Sequence, residues 1–216
     1  MQRRVNASTM TYARSILAPS GLPGTYHCVS RCVRRAWLCG EDRESGRSYA
    51  HRRQWVEDSI GELVEIFSVA VWGYAVMSNH LHVVVEVIPQ AAAEWSADEV
   101  AARWTRLYLR QDQDASERAD VLAGNESRIK QLRQRLCDLS WFMRCLAEAI
   151  ARRANREDGC NRHFMSMDGR YAGFAGAKIG LGGTIQVSNA ARRDGCVIGN
   201  DVCRSQSGAS QDLRQP

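Results

Sequence analysis

The chain has 216 residues, 44% of them hydrophobic and 25% charged, a balance that suits a globular domain and excludes a disordered or fibrous chain. Its formal charge is +5, and of 29 basic residues only Lys130 and Lys178 are lysines. Arginine forks match phosphates and stack on bases, so this bias favours a nucleic-acid partner, although arginine-rich codon usage gives the same bias. No stretch approaches the length of a membrane span and Met1-Gln2-Arg3-Arg4 opens no apolar leader, so a membrane is excluded and a cytoplasmic location expected. The eight cysteines are then reduced thiols, and none form a Cys-x-x-Cys pair of the kind structural zinc uses.

Residues 1–23 read as a polar arm ending in a Pro- and Gly-rich stretch. Thr25 to Val33 reads as a first strand, with Cys28 and Cys32 on one face as small core residues and Arg31, Arg34 and Arg35 clustered at its end. Residues 40–50 are a Gly-, Asp- and Ser-rich loop. Val56, Ile60, Leu63, Val64 and Phe67 mark an amphipathic helix over 51–67. Strands are predicted over 68–77 and 80–88. The short Ser78-Asn79 link allows a tight hairpin or one bent strand, and a continuous, kinked strand is the preferred expectation. Ser96-Ala97-Asp98-Glu99 is a capping box opening a helix that carries Val100, Trp104 and Leu107. Residues 111–126 read as a polar connection, and the 3–4 spacing from Ile129 to Ile150 predicts one long helix over 128–155. Arg152 and Arg153, on that helix, are candidate DNA contacts. From Gly173 onward there are 8 glycines in 44 residues and no aromatic after Phe174. This tail reads as poorly ordered, or at best a few short strands.

The chemistry concentrates in Tyr74-Ala75-Val76-Met77-Ser78-Asn79-His80-Leu81-His82-Val83-Val84-Val85. Side chains alternate along a strand, so His80 and His82 share one face while Leu81, Val83 and Val85 share the other. A histidine in a strand commonly plays a purely structural part. Two on one face of a valine-rich strand are placed to hold a single divalent cation.

The same residues, with Gly24-Thr25-Tyr26-His27-Cys28-Val29-Ser30-Arg31 and the block from Cys137 to Cys160, resemble the HUH single-tyrosine transposases, in particular the REP-associated tyrosine transposase branch. The resemblance covers residues 20–172. It implies an α+β fold: a ferredoxin-like antiparallel sheet with helices packed on one face, then a long helix and the tail. On that basis the chain divides into an arm (1–23), a transposase-like domain (24–172) and a divergent tail (173–216). The resemblance further implies Mg²⁺ or Mn²⁺ on His80 and His82, single-stranded or hairpin DNA as partner, and a homodimer. The implied activity is DNA cleavage and strand transfer through a 5′-phosphotyrosine link.

One part of the pattern is missing. Family members carry the nucleophile in Tyr-x-x-x-Asn or Tyr-x-x-x-Gln. Here the residues four places after Tyr12, Tyr26, Tyr49, Tyr74, Tyr108 and Tyr171 are Ile16, Ser30, Arg53, Ser78, Asp112 and Ala175. Tyr108 with Asp112 is the one pair with a possible ligand at that spacing, although Tyr108 also completes the apolar stripe of Val100, Trp104 and Leu107. The expectation is an activity impaired by loss of the tyrosine helix, the alternative being a non-catalytic DNA-hairpin-binding protein. Our hypothesis is that the glycine-rich tail replaces the missing segment by frameshift or recombination. Absence of a Tyr-Val-x-x-Asn-Pro motif from the other two frames of the encoding DNA would count against that origin.

Overall fold

The structure is a computed structural model that describes residues 21–33, 37–108, 114–160 and 164–166, with the backbone of three short segments at 171–174, 197–199 and 203–204. The chain runs β1 (Gly24–Cys32), α1 (Arg52–Val64), β2 (Val69–Val76), β3 (His80–Val87), α2 (Pro89–Glu94), α3 (Ala97–Leu107), α4 (Ala115–Ala123), α5 (Glu126–Leu136), α6 (Leu139–Glu157), β4 (Met165–Ser166), β5 (Tyr171–Phe174), β6 (Val197–Gly199) and β7 (Cys203–Arg204). It is a mixed fold of sheet and helices, as expected.

The sheet is antiparallel at every pairing, and β3 lies between β1 and β2. The segment β1-α1-β2 therefore leaves a gap that β3 fills in the opposite direction, the split crossover of ferredoxin-like folds. β4 and β5 line the outer edge of β1, while β6 and β7 line the outer edge of β2. β5 straddles the proposed boundary at residue 173, and β6 and β7 lie within the tail. The rest of the tail, residues 1–20 of the arm, Arg34 and Arg35 lie outside the described residues.

Strand alternation divides the sheet. Leu81, Val83, Val85 and Val87 of β3 are buried and join one core with Val56 and Ile60 of α1 and Phe142, Leu146 and Ile150 of α6. His80, His82, Val84 and Glu86 alternate with them and are half-buried on the other, open face. Cys28 is fully buried and Cys32 partly so; burial pushes both thiols up to about 12, so they are inert packing groups.

Three expectations need correction. Residues 68–88 are a tight hairpin and not one kinked strand: Val76 pairs with Leu81, and the Met77 N–H donates to the His80 carbonyl at 2.9 Å. The turn is fixed from outside the hairpin. The Ser78 carbonyl accepts from the Leu38 N–H at 2.7 Å, and the Asn79 carbonyl from the Cys32 N–H at 2.8 Å. The long helix over 128–155 is two helices, because the Asp138 carboxylate accepts from the Trp141 N–H at 2.9 Å and starts a new one. A good N-cap outweighed an apolar period that runs through the break. Lastly, the polar connection contains α4, which buries no residue fully and leaves only the short stripe of Ala119, Leu122 and Ala123 as a signal. It is capped by Asp114, whose carboxylate accepts from the Ser116 N–H at 2.8 Å.

A buried cation ties the helical layer together. Arg52 has no exposed surface and donates from Nε to Glu157 at 2.8 Å, from Nη2 to Asp158 at 2.6 Å and from Nη1 to the Trp37 carbonyl at 2.8 Å. It thereby joins α1, the end of α6 and the loop whose Leu38 holds the β2–β3 turn.

Candidate metal centre

The centre is built on three adjacent strands by their register. Val29 of β1 and Ala75 of β2 flank His82, and Arg31 lies directly across from His80. Residues opposite one another in an antiparallel pair share a face. Arg31, His80 and His82 therefore lie together on the open face, joined by His27 two places before Val29. At the far end of this face a bulge at Trp72 lets its indole N–H donate to the Glu86 carboxylate at 3.0 Å.

The ring centres of His80 and His82 are 4.9 Å apart, with planes inclined at 64°. Two imidazoles sharing one ion through bonds of about 2.1 Å bring their centres to a separation of this order. His80 Nδ1 lies 2.7 Å from Asn79 Oδ1, and an amide oxygen only accepts, so Nδ1 carries the hydrogen and the ring's lone pair is on Nε2. Burial holds the His82 pKa down to about 4, helped by the neighbouring His80, His27 and Arg31, so this ring is neutral at pH 7 and has a lone pair to offer. Burial also lowers the pKa of His27.

The donor set fits a divalent cation. Neutral imidazoles suit Mn²⁺ and the later transition ions better than Mg²⁺, which prefers carboxylates and water. Among the described residues no cluster of three or more His, Cys, Asp or Glu side chains is arranged to hold an ion. His80 and His82 could supply at most two ligands, and substrate or water oxygens would have to complete any coordination.

The other candidates are elsewhere. Tyr108 follows the last residue of α3, with its ring 5.2 Å from that of Trp104, and it packs in the helical layer behind the sheet. Burial raises its phenol pKa, and Cys145 beside it acts in the same direction. α3 ends at Leu107, with Tyr108 as its C-cap, and Asp112 lies outside the described residues. Arg152 is paired with Glu148 at 2.9 Å and Arg153 with Asp58 at 3.5 Å, both on α6. The structure therefore joins Arg31, His80 and His82, and separates them from Tyr108, Arg152 and Arg153.

Sequence reasoning gave no role to His27 or Asn79. Asn79 could have been noticed as a turn residue next to a histidine. His27 could have been found only by pairing β1 with β3, since the register places it one diagonal step from His82.

No protein-family model matches the chain, and no curated protein or solved structure is similar enough to count as a match. No helix among the described residues is long and apolar enough to cross a membrane.

Proposed function

We propose that the open face holds a divalent cation, Mn²⁺ or Mg²⁺, on His80 and His82, and with it a phosphate of single-stranded or hairpin DNA. The scaffold on this reading is that of metal-dependent DNA cleavage and strand transfer. The observation that carries it is the placement of two imidazoles side by side on the open face, with Arg31 directly across from one of them. A bound cation would withdraw charge from the non-bridging phosphate oxygens. The chain's own residues do the rest. His80 and His82 turn their imidazoles to the open face, and exposed Arg31 brings a permanent positive charge and a donor fork to the same phosphate. A homodimer belongs to this reading through the resemblance, and a cytoplasmic location is proposed with it.

Cleavage is the part of the activity we expect to be lost. No tyrosine is followed by the amide partner, and Tyr108 packs behind the sheet. That placement favours the second reading, in which the chain binds DNA without cutting it.

The test uses a labelled oligonucleotide with a hairpin and a single-stranded flank, at low salt, with Mn²⁺, with Mg²⁺ or with chelator. We expect retardation in a native gel that Mn²⁺ strengthens and that Arg31→Ala and His80→Ala each weaken, with no adduct surviving denaturation. An adduct abolished by Tyr108→Phe would overturn our placement of that residue. No retardation of any oligonucleotide at low salt would overturn the DNA reading itself.

A further inference from the structure

His27 Nε2 and His82 Nδ1 are 2.9 Å apart, their ring centres are 5.1 Å apart and their planes differ by only 18°. These values describe rings nearly coplanar and end to end. A nitrogen-to-centre radius at each end plus the gap between the nitrogens accounts for the whole centre-to-centre separation. Ring-edge N–H bonds and lone pairs both lie in the ring plane, so this is an in-line hydrogen bond and not a face-to-face stack. It also rules out an ion between these two atoms, because a metal–nitrogen bond of about 2 Å on each side would need a wider gap.

Between two neutral rings, one nitrogen must donate and the other accept. If His27 donated, the hydrogen of His82 would sit on Nε2 and block the side of the ring turned away from His27. If His82 donates from Nδ1, its lone pair is on Nε2. His80 already has that tautomer, set by Asn79 Oδ1. The two rings then present matching Nε2 lone pairs, each fixed by a partner at Nδ1. Ligating histidines are ordinarily held in this way by an outer group.

We infer that His27 is a positioning residue: it accepts a hydrogen bond from His82 Nδ1–H and so commits His82 Nε2 to ligation. The choice of donor rests on the cation reading above, but the hydrogen bond and its direction are properties of the metal-free chain. Both of the site's orienting partners are neutral, a ring nitrogen and an amide oxygen. The site therefore gains no negative charge from its outer groups, which suits binding of an anionic phosphate.

The experiment reads histidine tautomers directly. Long-range ¹H–¹⁵N spectra of the metal-free full chain should show His82 with a pyrrole-like Nδ1 and a pyridine-like Nε2. His27 should show a pyridine-like Nε2. In His27→Ala, His82 should move toward the Nε2–H tautomer that free imidazole prefers, and in His27→Gln the amide oxygen should restore the original form. Mn²⁺ affinity should fall about 10- to 100-fold in His27→Ala and recover in His27→Gln. Nε2–H on His82 in the wild-type chain would overturn the inference, and so would a tautomer or Mn²⁺ affinity indifferent to His27→Ala. The wild-type spectrum decides the donor even if His27→Ala fails to fold. The expected tautomer in a wild-type chain that binds no Mn²⁺ would count against the cation reading and leave the hydrogen bond's direction standing.

Discussion

β3 has two faces with opposite jobs. Leu81, Val83 and Val85 are sealed against the helices, while His80, His82 and Val84, one residue out of step, stand half-open. The packed face is apolar and the open face is polar and basic at its Arg31 end. Because side chains alternate with a period of 2, one strand can seal a core with one face and present His80 and His82 on the other without compromise between them. A substitution on one face should leave the property of the other untouched, and that separation can be tested.

The largest effect is expected on the packed side, at Arg52. Arg52→Ala empties the space of a fully buried side chain and removes its three hydrogen bonds to Glu157, Asp158 and the Trp37 carbonyl, and should cost about 3–5 kcal/mol in a denaturant titration. A cost below about 1 kcal/mol would show that the pair behaves as a surface contact. Next comes the direct contrast within β3. Leu81→Ala should cost about 2–5 kcal/mol by opening a cavity, whereas His80→Ala should shift stability by no more than about 0.5 kcal/mol. Equal losses from the two would erase the distinction between the faces. Asp138→Ala removes the cap that starts α6 and should cost about 1 kcal/mol, visible as a lower thermal midpoint. No change would mean that packing alone separates the two helices.

The smallest effect is with pH. Burial tends to raise the pKa of Glu157, but hydrogen bonds and charge from Arg52 and His51 outweigh it and hold the carboxyl below its ordinary 4.5. A depressed carboxyl stabilises the fold above its unfolded value and loses that contribution as pH falls through the folded one. The thermal midpoint should therefore drop on acidification below about pH 4.5. The Glu157→Gln variant should show a shallower drop; an identical acid slope would remove Glu157 from the account.

Much of this was legible in the sequence, and the reason differs from one element to the next. β1, α1 and α3 declared themselves through period and caps, because each buries one stripe. The pair His80 and His82 was legible from the strand period alone. The break at Cys137-Asp138 was not, because apolar spacing continues across it and only the cap marks the restart. The helix at 115–123 was hidden because it buries none of its residues fully and packs on the core only through Ala119, Leu122 and Ala123. His27 was missed for another reason: its role depends on which strand lies beside which, and that register follows from the tertiary fold. The packing role of Tyr108 was legible too, since it completes the stripe of Val100, Trp104 and Leu107, and its ring does lie against Trp104.

Everything proposed for the open face depends on His80 and His82 holding a cation together. Titrating Mn²⁺ into the metal-free chain, and into His80→Ala and His82→Ala, tests it most directly. The wild type should show one saturable site per chain, lost in each variant while the thermal midpoint of the metal-free protein stays put. A wild-type chain that takes up no Mn²⁺, or a site that survives both substitutions, would contradict it.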